Sequence, residues 1–227
     1  MAVSRRSPDG PVTGQVRIAD ALAGLVQGLV VVAIGAGLGR LADGRRRRWR
    51  GKASAFGAAV SIPVALPYGR AIARAAPYRG PQGARRFAVD VTWSALNTWA
   101  GALYLGAHLV AGHRLDEDRS RGTGSLWITE GALPGYATTI GIVKAGATDA
   151  VDAHEMVHVL QARLFGPLYL PTVGVNYVLA TVAPYWLLYR DGDRWPVTDV
   201  RTYFLNGVYP HVWNEHWAYR ATDPRAG

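Results

Sequence analysis

The sequence predicts a mainly α-helical chain with a small β element, an α+β fold. Three observations carry the prediction. Long apolar stretches free of charge and bounded by arginines read as helices. A run in the C-terminal half sets His, Glu and His on a helical period. Two short stretches rich in β-branched residues precede it.

The first apolar stretch covers residues 21–39 and contains Gly24-x-x-x-Gly28 and Gly35-x-x-x-Gly39, spacings that let helices approach closely in lipid. A basic run, residues 45–52, follows it. The chain carries 25 Lys and Arg against 16 Asp and Glu, a net charge of +9. Arginines beside an apolar helix favour an anionic lipid surface over nucleic acid, since no recognition motif accompanies them. Residues 53–69 are apolar but broken by proline and flanked by arginine on both sides, so they are not expected to cross a membrane. Residues 91–112, with Trp93, Trp99 and Tyr104, suit either a span or a helix buried against the helix that carries the His-Glu-His run. Residues 168–189 are another uncharged stretch, with Pro171 and Pro184. The polar leader up to Arg17, and Asp20 at the apolar start, argue for an anchor rather than a cleaved signal.

Residues 113–125 combine mixed charge with Gly122 and Gly124 and read as a linker. This gives three segments: an N-terminal apolar helix with its basic flank (1–50), further hydrophobic helices (51–112) and a metal-binding domain (113–227). In the last, residues 125–129 and 138–143 are β-rich, with Pro134-Gly135 between them. The second run is expected either as a sheet edge that pairs with an extended peptide or as part of a hairpin covering the next helix.

That helix is expected over 149–165, capped by Thr148 or Asp149, with Asp152 in its first turn and Gly166-Pro167 as its stop. It carries His154-Glu155-Met156-Val157-His158. Two imidazoles at i and i+4 leave one face at a separation that suits one Zn²⁺, and Glu155 beside them can take a proton from an attacking water. Gln161 shares that face, where it either orients a ligand or faces the core. The absence of cysteine excludes disulfides, thiol nucleophiles and Cys-type zinc sites.

A zinc site with two histidines needs a third protein ligand. Glu215, the only Glu downstream of the motif, ranks first, in Glu215-x-x-Ala218, where a small Ala218 can pack on the metal helix. His211 ranks second as a substitute ligand, or serves as an oxyanion donor alongside Tyr209 or Tyr219. Asp191 and Asp193 read as a charged surface turn.

At these residues the chain resembles a group of small bacterial gluzincin-like zinc metallopeptidases. The matching stretches are His154 to Gln161, then Gly166-Pro167-Leu168-Tyr169-Leu170, then Glu215-His216-Trp217-Ala218. The resemblance implies a zincin-like metal helix, Zn²⁺ held by His154, His158 and Glu215, Glu155 as base, and a peptide or protein substrate. Tyr219 stands where such proteins often carry Asp or Asn beside a ligand histidine, so Gln161 and Tyr219 are the candidates to support the ligands. The expected enzyme is membrane-associated, at a bacterial inner membrane, with a soluble cytoplasmic location as the alternative. A non-catalytic protein that keeps the fold, with structural zinc or none, is the second reading, and a basic lipid- or nucleic-acid-binding module is the third.

Overall fold

A computed structural model describes residues 16–44, 51–132 and 135–222. The arginine run at 45–50, Pro134 and the tail from 223 lie outside the described residues.

The chain is mostly helical with one small sheet, as the composition of its runs predicts. Helix α1 (Ile18–Asp43) and helix α2 (Lys52–Ala75) pair along their length. Their glycines make the approach close. A Cβ on Gly24 would stand 2.2 Å from the Gly69 carbonyl oxygen, and one on Gly39 2.0 Å from that of Ala53. The small-residue spacing of α1 thus meets α2 of the same chain. The Asp43 carboxylate accepts the Ala53 and Ser54 amides at 3.1 and 3.0 Å, satisfying orphan donors at the start of α2.

Both helices are long and apolar enough to cross a membrane. For residues 53–69 the break expected at the prolines does not occur. Pro63 and Pro67 lie inside an unbroken 24-residue helix. Each proline removes one intrahelical hydrogen bond, and packing against α1 outweighs that loss.

Helix α3 (Gly83–Val91) leads to helix α4 (Ala95–Val110). Of the two readings of residues 91–112, the packed helix gains support: α4 has 16 residues and its start reaches the end of the helix that carries His154 and His158. Asn97 Nδ2 donates to the carbonyls of Ala162 and Gly166 at 3.0 and 2.7 Å, and Ser94 Oγ donates to Ala162 at 3.0 Å. These bonds satisfy carbonyls that a helix end leaves open.

The charged stretch expected as a linker is structured instead. Strand β1 (Leu115–Asp116) joins the sheet, and the short helix α5 (Glu117–Ser120) packs on it. Its charges are paired: Glu117 with Arg74 at 2.9 Å and Arg119 with Asp149 at 2.7 Å. Strands β2 (Leu126–Ile128), β3 (Thr138–Ile140) and β4 (Val143–Ala145) complete a sheet of order β1-β2-β4-β3. The run read as one strand over 138–143 is thus a tight hairpin, turned at Gly141, whose φ of +61° suits glycine. β2 pairs in parallel with β4, leaving β3 at an edge.

The remaining elements are helix α6 (Asp152–Phe165), a 3₁₀ turn (Gly166–Leu168), helix α7 (Tyr169–Val182), a second 3₁₀ turn (Tyr185–Leu188), the helical turn α8 (Val200–Thr202), a π-helical turn (Tyr203–Val208), the turn α9 (Tyr209–His211) and helix α10 (Trp213–Thr222). One core cluster draws on all three sequence segments, from Val31 and Tyr68 through Leu105 to Ile128, Val143 and Val159. A smaller one forms around Trp186, Val208 and Val212.

Candidate metal centre

α6 positions the first two donors. It begins at Asp152 rather than 149. Val151 is the N-cap residue and makes no side-chain cap. Asp149 is drawn away to Arg119, and Thr148 contributes only its carbonyl, to the Val151 amide. Asp152 lies in the first turn as expected, where it pairs with the buried Lys144 of β4. Lys144 in turn stands 4.5 Å over the Trp127 ring. This ties the start of the metal helix to the sheet.

One turn apart on α6, the His154 and His158 rings face each other with their Nε2 atoms 3.2 Å apart. α10 supplies the third group. Glu215 Oε2 lies 3.2 Å from His154 Nε2, and Oε1 lies 3.4 Å from His158 Nε2. His158 and Glu215 are buried and His154 largely so, and their donor atoms lie within 4.8 Å of one another. A tetrahedral ion with bonds of about 2.0–2.1 Å sets its ligand atoms about 3.3 Å apart. The separations therefore match a donor set arranged around one ion, and the His-His-Glu group can hold a metal.

The approach of α10 to α6 follows from its sequence. Ala218 is fully buried where the two helices meet, the role its small size suggests. Phe165 of α6 packs edge-on against Trp213 and Trp217, at 5.0 and 6.0 Å between centroids. Asn176 of α7 accepts the Trp213 amide at 2.8 Å, capping the start of α10.

Gln161 orients His158. Its Nε2 donates to the Asn214 carbonyl at 2.9 Å, which fixes the amide so that Oε1 faces His158 Nδ1 at 3.0 Å. Oε1 also accepts from the Tyr169 hydroxyl at 3.2 Å. An acceptor at Nδ1 places the proton there and leaves the Nε2 lone pair toward the donor group. Tyr219 acts differently. Its ring packs against His154, centroids 4.6 Å apart, and among the described residues no group hydrogen-bonds His154 Nδ1.

The electrostatics suit a cation. Burial opposes the charge on Glu215, but hydrogen bonds from His154 and His158 outweigh it and hold the carboxyl down at about 2. Burial also opposes a charged His158, yet Glu215 wins and raises it. Among the described residues neither Lys nor Arg pairs with Glu215. Glu155 is buried beside the donors and accepts from Thr139 Oγ1 of β3 at 2.5 Å.

His211 does not join this group. Val212 is extended (ψ 141°), breaking the chain between α9 and α10, so His211 and Glu215 are not on one helix. The His211 ring instead stacks on Trp186 at 5.8 Å and its Nδ1 donates to the Gly207 carbonyl at 2.5 Å. Tyr209 feels the charge of the site. Burial first, then the Glu215 charge, push its phenol far above the ordinary range, and the same two causes raise Tyr219. Asp191 lies in an exposed turn, its carboxylate accepting the Asp193 and Arg194 amides, both at 3.1 Å.

Three contributors lay outside the sequence reading: Thr139 as the partner of Glu155, the hydroxyl of Tyr169 and the carbonyl of Asn214. Thr139 and Tyr169 belong to stretches that stood out in the sequence, but neither side chain was given a role there. The Asn214 contact is made by backbone, which leaves no side-chain signal. Compared with known proteins, the chain matches no family model, no curated protein and no solved structure.

Proposed function

We propose that this protein is a membrane-associated, zinc-dependent peptidase of gluzincin-like type. The convergence of His154, His158 and Glu215 on one point carries the reading. Two imidazoles and one carboxylate at these separations suit tetrahedral Zn²⁺ and leave a position for a reactant. When bound, the ion supplies Lewis acidity, lowering the pKa of a water toward neutrality and polarising a carbonyl.

The chain's own groups do the rest. Glu155, held by Thr139, takes the proton of the attacking water and passes it to the leaving nitrogen as the C–N bond breaks. Tyr209 and Tyr219 keep their phenolic protons at neutral pH and are the donors for the carbonyl oxygen as it gains charge. β3, with an open edge beside α6, suits backbone pairing with an extended peptide.

Surface chemistry supports the membrane part. The outer faces of α1 and α2 expose Leu22, Leu25, Leu29, Phe56 and Leu66. α7 is charge-free and buries only Tyr169 and Ala180, while Val175, Val178 and Val182 are exposed. A helix apolar on all sides favours lipid over water.

The test is zinc stoichiometry and peptide hydrolysis on purified protein. One zinc per chain, lost in His154→Ala, and hydrolysis abolished in Glu155→Gln with zinc retained are expected. Zinc at one per chain with hydrolysis no better than Glu155→Gln across diverse peptides would favour a structural metal. Extraction with carbonate should leave the protein in the membrane, and its release would remove the membrane assignment.

A further inference from the structure

Beside the donor group lies a cavity of about 530 Å³, lined by Tyr136, Thr138, Tyr177, Arg201, Phe204 and Tyr209 among others. Two of its lining residues adjoin the site: Thr138 is the strand neighbour of the Thr139 that holds Glu155, and Tyr209 feels the Glu215 charge. Its volume falls within the usual range for a ligand site, and its walls are apolar and aromatic, with one charged residue.

That residue is Arg201. Among the described residues no carboxylate pairs with it. The nearest acid in sequence, Asp199, is engaged elsewhere: its carboxylate accepts the Thr202 amide at 2.9 Å and completes a capping box at the start of α8. Arg201 is exposed, and a guanidinium fork on an otherwise apolar wall can receive a planar anion, which a carboxylate satisfies through two parallel hydrogen bonds.

We propose that Arg201 is a specificity determinant that receives a substrate carboxylate, with the aromatic wall taking the apolar body that bears it. The inference rests on the peptidase reading and narrows its substrate to peptides with a carboxylate near the scissile bond. The carboxylate is either the chain terminus or an acidic side chain.

The experiment uses zinc-loaded full-length protein and matched peptide pairs. One pair ends in a free carboxylate or an amide, and the others carry Glu or Gln at single positions flanking the scissile bond. Binding of each pair to zinc-loaded Glu155→Gln is measured by calorimetry, and kcat/KM is measured on the unsubstituted protein. The carboxylate member of one pair should bind about tenfold tighter, and which pair responds identifies the source. Arg201→Gln should erase the difference, Arg201→Lys should restore part of it, and Arg201→Glu should turn the preference toward a Lys-bearing peptide. Equal binding within every pair, or a preference unchanged in Arg201→Gln, would overturn the inference even if peptides are cleaved. A preference in binding that depends on Arg201, without cleavage of any peptide, would sustain Arg201 as the carboxylate site and reject the peptidase reading.

Discussion

Gln161 Oε1 stands 3.0 Å from His158 Nδ1, while the same side chain is locked from behind by the Asn214 carbonyl at 2.9 Å. One amide therefore joins α6 to α10 and sets the tautomer of His158. Asn214 also precedes Glu215, so the group that orients His158 restrains the backbone that presents Glu215.

Removing that amide should weaken metal binding without abolishing it. Gln161→Ala is expected to lower zinc affinity about 10- to 100-fold, the usual cost of losing a partner that orients a ligand. Competition against a chromophoric chelator measures it. Affinity unchanged from the parent protein would show that His158 needs no support.

Metal binding should weaken in acid. A metal must displace the proton that Glu215 favours on His158, so affinity falls by about tenfold per pH unit and per displaced proton below the raised His158 value. The metal-free protein has its own signature. A raised imidazole contributes stability that is full below its ordinary 6.5 and is lost as pH rises through the folded value. The depressed Glu215 contributes stability that is full above its ordinary 4.5 and is lost as pH falls toward about 2. The difference in melting temperature between chelator-treated parent and His158→Ala is therefore expected to be greatest between those two ordinary values. A difference that grows steadily toward pH 9 would contradict the pairing.

Away from the donor group, Arg163 of α6 grips the buried Asp90 with two hydrogen bonds, 2.9 and 2.7 Å, and Tyr78 donates to the same carboxylate at 2.9 Å. Arg163→Met leaves that charge unpaired in the interior. A loss of about 3–5 kcal/mol is expected in denaturant unfolding. The double variant with Asp90→Leu should recover part of it, since both charges are then gone.

The α1–α2 pair has no room at Gly24. Gly24→Leu puts a side chain against the Gly69 carbonyl and should destabilise by about 1–3 kcal/mol, read as a lower melting temperature in detergent. Gly37 has open space at its Cβ, so Gly37→Ala should have little effect.

The sequence by itself determined the local half of the site. The i and i+4 spacing of His154 and His158 fixes their common face, because a helix repeats every 3.6 residues. Glu215 was reachable by elimination and by the small Ala218 beside it, and the edge strand and the long apolar helix α1 were legible from composition. Tertiary structure decided the rest. His211 sits only four residues from Glu215, yet one extended residue, Val212, sends it into a different core. Gln161 could face a ligand or the core until α10 placed the Asn214 carbonyl behind it. Pro63 and Pro67 would interrupt an isolated helix, and packing against α1 keeps it whole. Arg201 meets Thr138 and Tyr209 only where the turns after α7 fold back over β3. Period and propensity act over a few residues, whereas these four outcomes depend on which distant surfaces are buried together, a quantity no local pattern encodes.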